Sequence, residues 1–182
     1  QAILAGAAKA FQQHGYAQTT LEHVAAEGGI NRATLYYYVG TKEELLIALL
    51  YQPMLDMTAR LREIADLDLD PVTKLRRALL QYTADIAETP QILILQAQNP
   101  QQLLSGPEAD EIVANADEYG RILAGIVDEG VRAGVFRDDV PAQMSMLAIL
   151  GMFNWIHRWY QPGGRLTLSD IGETFAELAV GS

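Results

Sequence analysis

The sequence of 182 residues contains no cysteine and no hydrophobic run long enough to cross a membrane. Without cysteine, the chain cannot form disulfide bonds, use a thiolate in catalysis or bind zinc through cysteine ligands. The longest apolar segment, residues 144–156, has 13 residues, which is too short for a transmembrane helix and indicates a buried one. No signal peptide is visible, so we expect a cytoplasmic protein that does not interact with membranes.

Features of enzymes and of β-sheets are also missing. The three histidines, His14, His23 and His157, have no spacing typical of a metal-binding pair. Gly163-Gly164 follows a helical pattern and not a strand, so it does not predict a phosphate-binding loop, and no nucleophile elbow is present. Strand patterns are scarce, whereas helical periodicity extends along most of the chain. We therefore predict an all-α protein of about nine helices that is not an enzyme and has no metal or cofactor.

Positive charge is scarce, and its distribution is more informative than its total. The net charge is −10, which by itself disfavours a nucleic-acid-binding protein. Residues 1–50 carry three basic and four acidic side chains, so their net charge is −1, whereas the remainder carries −9. DNA phosphates repel a strongly acidic part of a protein. Any contact with DNA must therefore be made by the nearly neutral N-terminal part.

Residues 1–48 show the pattern of short helices followed by the start of a longer one, and we assign them to one domain, the head. A helical stripe over residues 3–11 ends at Gly15. Thr19 and Thr20 supply capping hydroxyls for a second helix, and Glu22 stands three residues after Thr19. The spacing predicts a capping box at this helix start.

The next helix is predicted over residues 32–39. Gly28-Gly29 makes the turn before it, and Asn31 is a favourable N-cap. Thr41 and Glu44 then have capping-box spacing and open a longer helix. Two short helices joined by a glycine turn are typical of a helix-turn-helix.

Three consecutive tyrosines lie in this helix. On a helical wheel, Leu35 and Val39 define its buried side. The residues at its flanks and on its outward side are Arg32, Ala33, Thr34, Tyr36, Tyr37 and Tyr38. Hydroxyl groups can bond phosphate oxygens, methyl groups can pack on thymine, and arginine can reach a base edge or a phosphate. The pattern indicates a recognition helix; the alternative is that the tyrosines only pack between helices.

Residue types recur at fixed offsets through the head. They are Phe11, Gly15-Tyr16, Thr19-Thr20, Ala25, Gly29-Ile30, Thr34-Leu35-Tyr36, Lys42-Glu43 and Leu45. This pattern, over about residues 3–47, resembles the DNA-binding domain of the TetR family of bacterial repressors. The resemblance implies a double-stranded DNA partner and phosphate contacts by Thr20, Tyr36 and Lys42. Lys42 also stands at a helix N-terminus, which favours an anion; the alternative is an ordinary solvated lysine.

Residues 49–182, the body, are expected to bind a small molecule and to dimerise, as the resemblance implies for a variable C-terminal part. The segment 144–156 is apolar around most of its circumference, so it must be covered on two sides. The last helix, over residues 168–180, carries Gly172, Ala176 and Ala179, which allow close approach. We expect these two helices to form a four-helix homodimer interface; the alternative is that both are internal to a monomer.

The segment 154–167, NWIHRWYQPGGRLT, places aromatic and basic side chains on the expected last turns of a helix that ends before Pro162. It is similar to a stretch in TetR-family regulators that respond to acyl-CoA thioesters. The predicted ligand-binding residues are Tyr119, Asn154, Trp155, Arg158 and Trp159. Arg158 would take a negative head group, and the tryptophans would cover an apolar or planar part. The alternative is an aromatic core plug.

Pro53 interrupts the helix that joins head and body. An interior proline removes a hydrogen bond and kinks a helix, so we expect a bend near residues 50–53. We interpret it as a pivot through which an inducer changes the geometry of the heads; the alternative is that Pro53 only starts a new helix. Together these features predict a ligand-released, DNA-binding repressor. A dimeric ligand-binding module without specific DNA activity is the alternative function.

Overall fold

The computed structural model describes residues 1–97 and 105–181 and contains nine α-helices within these ranges. The helices are α1 (Ala2–His14), α2 (Leu21–Gly28), α3 (Arg32–Tyr38), α4 (Lys42–Ala65), α5 (Pro71–Glu88), α6 (Ile92–Ala97), α7 (Pro107–Arg132), α8 (Ala142–Asn154) and α9 (Leu168–Val180). No strand occurs in the same ranges, so the predicted all-α fold is confirmed. None of the helices described there is long and apolar enough to cross a membrane.

The start of α2 is capped by different residues from those predicted. Thr20 accepts a hydrogen bond from the His23 N–H at 3.3 Å, and His23 Nδ1 accepts one from the Thr20 N–H at 3.4 Å. The predicted pairing of Thr19 with Glu22 is wrong, because Thr19 is buried and its hydroxyl donates to the Gly15 carbonyl at 2.8 Å. The capping box is therefore shifted by one residue.

The caps predicted for α3 and α4 are confirmed. Asn31 Oδ1 accepts from the Ala33 N–H at 2.8 Å, and Thr41 Oγ1 accepts from the Glu44 N–H at 3.2 Å. Gly29, with φ 61°, makes the left-handed turn between α2 and α3, a conformation that glycine adopts without strain. The helix-turn-helix of the head is formed by α2, this turn and α3.

Gly6 allows α1 and α2 to approach closely. A Cβ atom at Gly6 would lie 2.6 Å from the Val24 carbonyl oxygen and 2.7 Å from the Gly28 nitrogen. Both are backbone atoms, which cannot rotate away as a side chain can, so only glycine fits. The core of the head near this contact includes the buried residues Ala7, Ala10, Phe11, Val24, Ala25 and Leu35.

Head and body share α4, which continues through Pro53 without interruption. The alternative that Pro53 starts a new helix is therefore wrong, while the bend stays a prediction. The boundary predicted between residues 48 and 49 falls inside this helix. In the body, α4 packs along α7, and α5 packs along α9. The fold thus connects the helix-turn-helix to the body through a single continuous element.

The helix α8 ends at Asn154, whereas the sequence predicted a helix that continues almost to Pro162. The cause is local: His157 Nδ1 lies 2.7 Å from the Asn154 carbonyl oxygen, which an α-helix would offer to the Arg158 N–H. The Arg158 N–H instead donates to the Trp155 carbonyl at 3.0 Å. A 3₁₀ turn, Ile156–Arg158, results and changes the directions of the side chains that follow.

We expect Gly6→Ala to destabilise the protein by about 1–3 kcal/mol, because the added methyl group overlaps the backbone of α2. Thermal unfolding should show a Tm lower by several degrees. Gly125→Ala, in the middle of α7, is the matched control, since a Cβ there meets nothing within 4 Å. Its Tm should stay the same or rise with the better helix propensity of alanine. Equal Tm values for the two variants would contradict the close approach of α1 and α2.

Candidate nucleic-acid interface and ligand cavity

The outward face of α3 is exposed as the helical wheel predicted. Tyr37 and Tyr38 are 82% and 68% exposed, Tyr36 is 47% exposed, and Leu35 is fully buried. The rings of Tyr37 and Tyr38 meet edge to face at 5.0 Å. The packing interpretation therefore does not apply to these two tyrosines. The other predicted DNA-binding residues that are exposed are Thr20, Arg32, Ala33 and Thr34.

Glu22 of α2 holds two residues of this face. Its carboxylate accepts a hydrogen bond from the Tyr36 hydroxyl at 2.9 Å and forms an ion pair with Arg32. The Arg32 guanidinium also lies 5.6 Å from the centre of the Tyr36 ring. A hydrogen bond from its own backbone N–H, followed by that from Tyr36, lowers the pKa of the Glu22 carboxyl, so the group is ionised at neutral pH. Sequence reasoning missed Glu22, whose position only the packing of α2 on α3 defines.

Lys42 points into the head and not toward solvent. Its ammonium group donates to the carbonyl oxygens of Tyr16, Ala17 and Thr19 at 2.9, 3.1 and 3.3 Å. It also lies 4.7 Å from the centre of the Tyr16 ring. An ammonium group has three N–H donors, and all three are used. Lys42 therefore fixes the loop between α1 and α2 in this structure, a role that neither sequence interpretation included.

A cavity of about 550 Å³ lies in the body between α4, α5, α6, α7 and α8. Its lining residues are Met54, Met57, Thr58, Tyr82, Ile92, Leu95, Gln96, Ile112, Val113, Ala116, Asp117, Tyr119, Leu150 and Asn154. Small-molecule sites in proteins commonly have volumes of about 300–1,000 Å³ and mostly apolar walls. The cavity is therefore a candidate binding site for a small, largely apolar molecule.

A polar cluster lies in one wall of the cavity. The Tyr82 hydroxyl donates to Asn154 Oδ1 at 2.8 Å, and Gln96 Nε2 donates to the Tyr82 oxygen at 2.8 Å and to Asn154 Oδ1 at 3.3 Å. Burial raises the pKa of Tyr82 well above its usual range, so its hydroxyl stays protonated. Gln96 Oε1 is buried and has no hydrogen-bond partner among the residues that the structure describes.

The predicted ligand-binding residues divide into two groups. Tyr119 and Asn154 line the cavity, whereas Trp155, Arg158 and Trp159 do not. The last three lie after the early end of α8; Trp159 is directed toward Phe175 of α9, with ring centres 6.4 Å apart. These three residues are therefore not part of the cavity wall, and their predicted role at a ligand mouth stays a prediction.

Sequence reasoning also missed Tyr82 and Gln96. Tyr82 shares the buried face of α5 with Leu79 and Ile86, so a helical wheel of that segment indicates that it faces inward. Gln96 lies near the end of α6, where no local pattern shows that its side chain lines a cavity.

An apolar stripe on α8 remains uncovered. Met144 and Leu147, three residues apart on one face of α8, are 59% and 54% exposed, and Trp155, directly after the last residue of α8, is 59% exposed. Leu178 of α9 is 58% exposed. Monomeric proteins rarely leave contiguous apolar patches of this kind in water. The stripe is therefore a candidate protein–protein interface.

Two of the three small residues of α9, Gly172 and Ala176, face the body and not this stripe. A Cβ atom at Gly172 would lie 2.3 Å from Thr83 Oγ1 of α5, and Ala176 is fully buried. The interpretation that these residues allow close approach of a partner subunit is therefore wrong. They allow close approach of α5 within the same chain.

Comparison with known proteins agrees with both parts of this description. A family model described as "Bacterial regulatory proteins, tetR family" matches residues 3–49, and one described as "Tetracyclin repressor-like, C-terminal domain" matches residues 68–182. The chain is 26% identical over 180 residues to the HTH-type transcriptional repressor KstR2 of Mycobacterium tuberculosis, and the match covers 98% of this chain and 90% of KstR2.

Two solved structures are similar over nearly the whole chain. PfmR, a TetR family transcriptional regulator from Thermus thermophilus, has a TM-score of 0.85 and 28% identity, with 99% of this chain and 97% of PfmR covered. AibR in complex with isovaleryl coenzyme A and operator DNA has a TM-score of 0.80 and 26% identity, with coverage of 98% and 96%.

We expect Lys42→Met to lower the Tm by several degrees, because the carbonyl oxygens that it binds lose a charged donor worth about 1.5–3 kcal/mol. Methionine keeps most of the apolar stem, so packing changes little. Lys9→Met is the control, since Lys9 is exposed. If Lys42→Met keeps the parent Tm but weakens DNA binding, Lys42 acts on phosphate and not on the loop.

Proposed function

Because the chain belongs to the TetR family of bacterial regulatory proteins, we propose that it is a cytoplasmic transcriptional repressor that binds operator DNA as a homodimer and is released by a small molecule. Members of the family are regulators and not enzymes, so the chain is a regulatory protein. The exposed face of α3, with Tyr37 and Tyr38 in water, is the observation that carries the proposal. Two adjacent tyrosines that are this exposed indicate a surface that binds a partner.

In the proposed complex α3 enters the major groove of double-stranded DNA. Ala33 and Thr34 contact base edges, while Tyr37, Tyr38 and Thr20 contact the backbone or neighbouring bases. Arg32 and Tyr36 also contact the DNA once their bonds to the Glu22 carboxylate are broken. Lys42 acts mainly by fixing the loop that precedes α2, because its donors are already used.

The proposed homodimer covers the apolar stripe of α8 with the same stripe of a second copy. A two-fold interface uses one self-complementary patch on both subunits. The stripe of Met144, Leu147 and Trp155 suits this because it is apolar and continues onto Leu178 of α9. Two heads held in this way would read half-sites about 34–36 Å apart, or a multiple of that distance.

The proposed inducer binds in the cavity, and α4 transmits its effect. Met54, Met57 and Thr58 of α4 line the cavity, while Leu45, Leu46 and Leu50 of the same helix are buried near the head. A ligand that favours one position of α4 therefore changes the position of the heads. AibR was crystallised with isovaleryl coenzyme A and operator DNA, which supports an acyl-CoA or similar amphipathic molecule for this chain as well.

The alternative is a dimeric ligand-binding module without specific DNA activity. It is tested by selecting DNA duplexes that bind the protein. Duplexes that bind the protein are selected from a random double-stranded library, and the enriched sequence is measured by gel shift at several salt concentrations. A repressor enriches a two-fold symmetric sequence, and its affinity falls with salt by about 0.9 logarithmic units per phosphate contact and per tenfold change in salt. Absence of any enriched sequence would favour the module.

We expect the double variant Tyr37→Ala, Tyr38→Ala to lose about tenfold or more in affinity for the selected duplex, because two exposed side chains that bond the DNA are removed. Its Tm should change by less than about 2 °C, since neither ring is buried. Leu35→Ala is the contrasting variant, because Leu35 is fully buried and its truncation should lower the Tm markedly. A large drop in Tm for the tyrosine variant would place the two rings in the core.

We expect Leu147→Glu to convert the dimer into a folded monomer, because a carboxylate in the centre of an apolar interface loses its hydration. Light scattering reports the mass, and circular dichroism reports the helix content. Leu67→Glu is the matched control, since Leu67 is 39% exposed in the turn between α4 and α5. The Leu147→Glu variant should also lose binding to the selected duplex. If the Leu147→Glu variant stays dimeric and binds the selected duplex with unchanged affinity, the assignment of this interface is wrong.

A further inference from the structure

The part of the body cavity that the structure describes has no basic side chain in its wall. Among the described residues that line it there is no lysine, arginine or histidine, and the one formal charge belongs to Asp117 of α7. Transfer of an isolated anion from water into such a site costs several kcal/mol when no partner is present. Asp117 is exposed to solvent, so its negative charge adds only a screened repulsion. The lining therefore opposes a carboxylate, sulfate or phosphate inside the cavity.

The neighbouring segment cannot supply the missing cation. Residues 98–104 follow α6 directly, and their sequence, QNPQQLL, contains no charged side chain. Arg158 lies outside the cavity lining. The absence of positive charge is therefore a property of the local sequence as well as of the cavity wall.

The polar cluster in the wall has hydrogen-bonding capacity left over. Asn154 Oδ1 accepts two hydrogen bonds, from Tyr82 and Gln96, whereas its Nδ2 group makes no hydrogen bond within residues 1–97 and 105–181. Gln96 Oε1 is buried and unpaired in the same ranges. One amide thus offers donors and the other an acceptor, within a wall that is otherwise apolar. A buried acceptor without a partner is costly, so a ligand that donates to it is favoured.

We propose that the part of the inducer that enters the cavity is an uncharged hydrocarbon skeleton with one carbonyl or hydroxyl oxygen. Asn154 Nδ2 donates to this oxygen, and Gln96 Oε1 accepts from it where it is a hydroxyl. This assignment rests on the proposed function only in taking the cavity as the inducer site. It replaces the expectation that Arg158 binds an anionic head group within the site. The oxygen has two possible sources: a free neutral ketone or alcohol, or the carbonyl of a thioester whose charged part stays outside.

The test compares ligands of one chain length by isothermal titration calorimetry and thermal shift at pH 7.5. The probes are 2-decanone, 1-decanol, decanoate and decanoyl-CoA. 2-Decanone should bind. Decanoate should bind about 100-fold more weakly than 2-decanone or 1-decanol, because no basic side chain compensates the charge of the carboxylate. Binding of decanoyl-CoA identifies a thioester as the source, and its failure beside a bound ketone identifies a free neutral molecule.

Two variants connect the oxygen of the ligand to the polar cluster. Asn154→Leu should weaken 2-decanone and 1-decanol alike by about fivefold to tenfold, because both oxygens lose the amide donor. Gln96→Leu should weaken 1-decanol more than 2-decanone, because Gln96 Oε1 can accept only from a hydroxyl group. The comparison of two ligands in one variant cancels any general change in the cavity. Gln12→Leu, which removes an amide at an exposed position of α1 outside the lining, is the matched control.

Three results would overturn the assignment. They are equal binding of decanoate and 2-decanone, binding of no neutral probe, and a loss of affinity in Gln12→Leu equal to that in Asn154→Leu. None of these measurements involves DNA, so they remain informative if the protein selects no duplex. Conversely, a protein that selects a duplex but binds no neutral probe keeps the proposed function and loses this ligand class.

Discussion

The continuity of α4 is the constraint on which the rest of the structure depends. The same helix supplies Leu46 and Leu50 near the head and Met57 and Leu61 in the body, all of them buried. Protein interiors are packed as closely as organic crystals, so a helix cannot shift at one end without disturbing its contacts at the other. A cavity that borders this helix is therefore mechanically connected to the helix-turn-helix.

An ion pair with a buried carboxylate joins α4 to α5. Arg60 of α4 donates to the Asp85 carboxylate of α5 at 2.6 Å, and Gln81 donates to the same group at 2.9 Å. Asp85 is only 2% exposed, and burial raises its pKa, while Gln81 and Arg60 act against this rise. The Arg60 side chain is 35% exposed, so breaking the pair costs less than the about 3–5 kcal/mol of a fully buried one, but it leaves the buried Asp85 without its charged partner. We therefore expect α4 and α5 to move as one unit when the cavity is filled.

Local signals were predictable from the sequence, whereas contacts between distant residues were not. The caps at Asn31 and Thr41 and the exposed face of α3 follow from residue types within one or two turns of helix. The early end of α8 is a local feature that was missed, because periodicity does not show that the His157 ring meets the Asn154 carbonyl. The role of Gly172 depends on Thr83 of another helix. Periodicity identifies Gly172 as small but not its neighbour. For the same reason the sequence predicted two residues of the cavity, Tyr119 and Asn154, together with three that lie outside it.

In the proposed complex with DNA, a phosphate would take the place of the Glu22 carboxylate, which here binds Arg32 and the Tyr36 hydroxyl. Salt weakens the internal pair as well as the contact with a phosphate, because both are attractions between opposite charges at the surface. The two effects partly cancel, so this contact varies less with ionic strength than one made by a free arginine. A duplex would displace the Glu22 carboxylate from Arg32 only if its phosphate lies in a better position than the carboxylate. An acidic residue within a DNA-binding surface can thus act as a filter that rejects poorly fitting DNA.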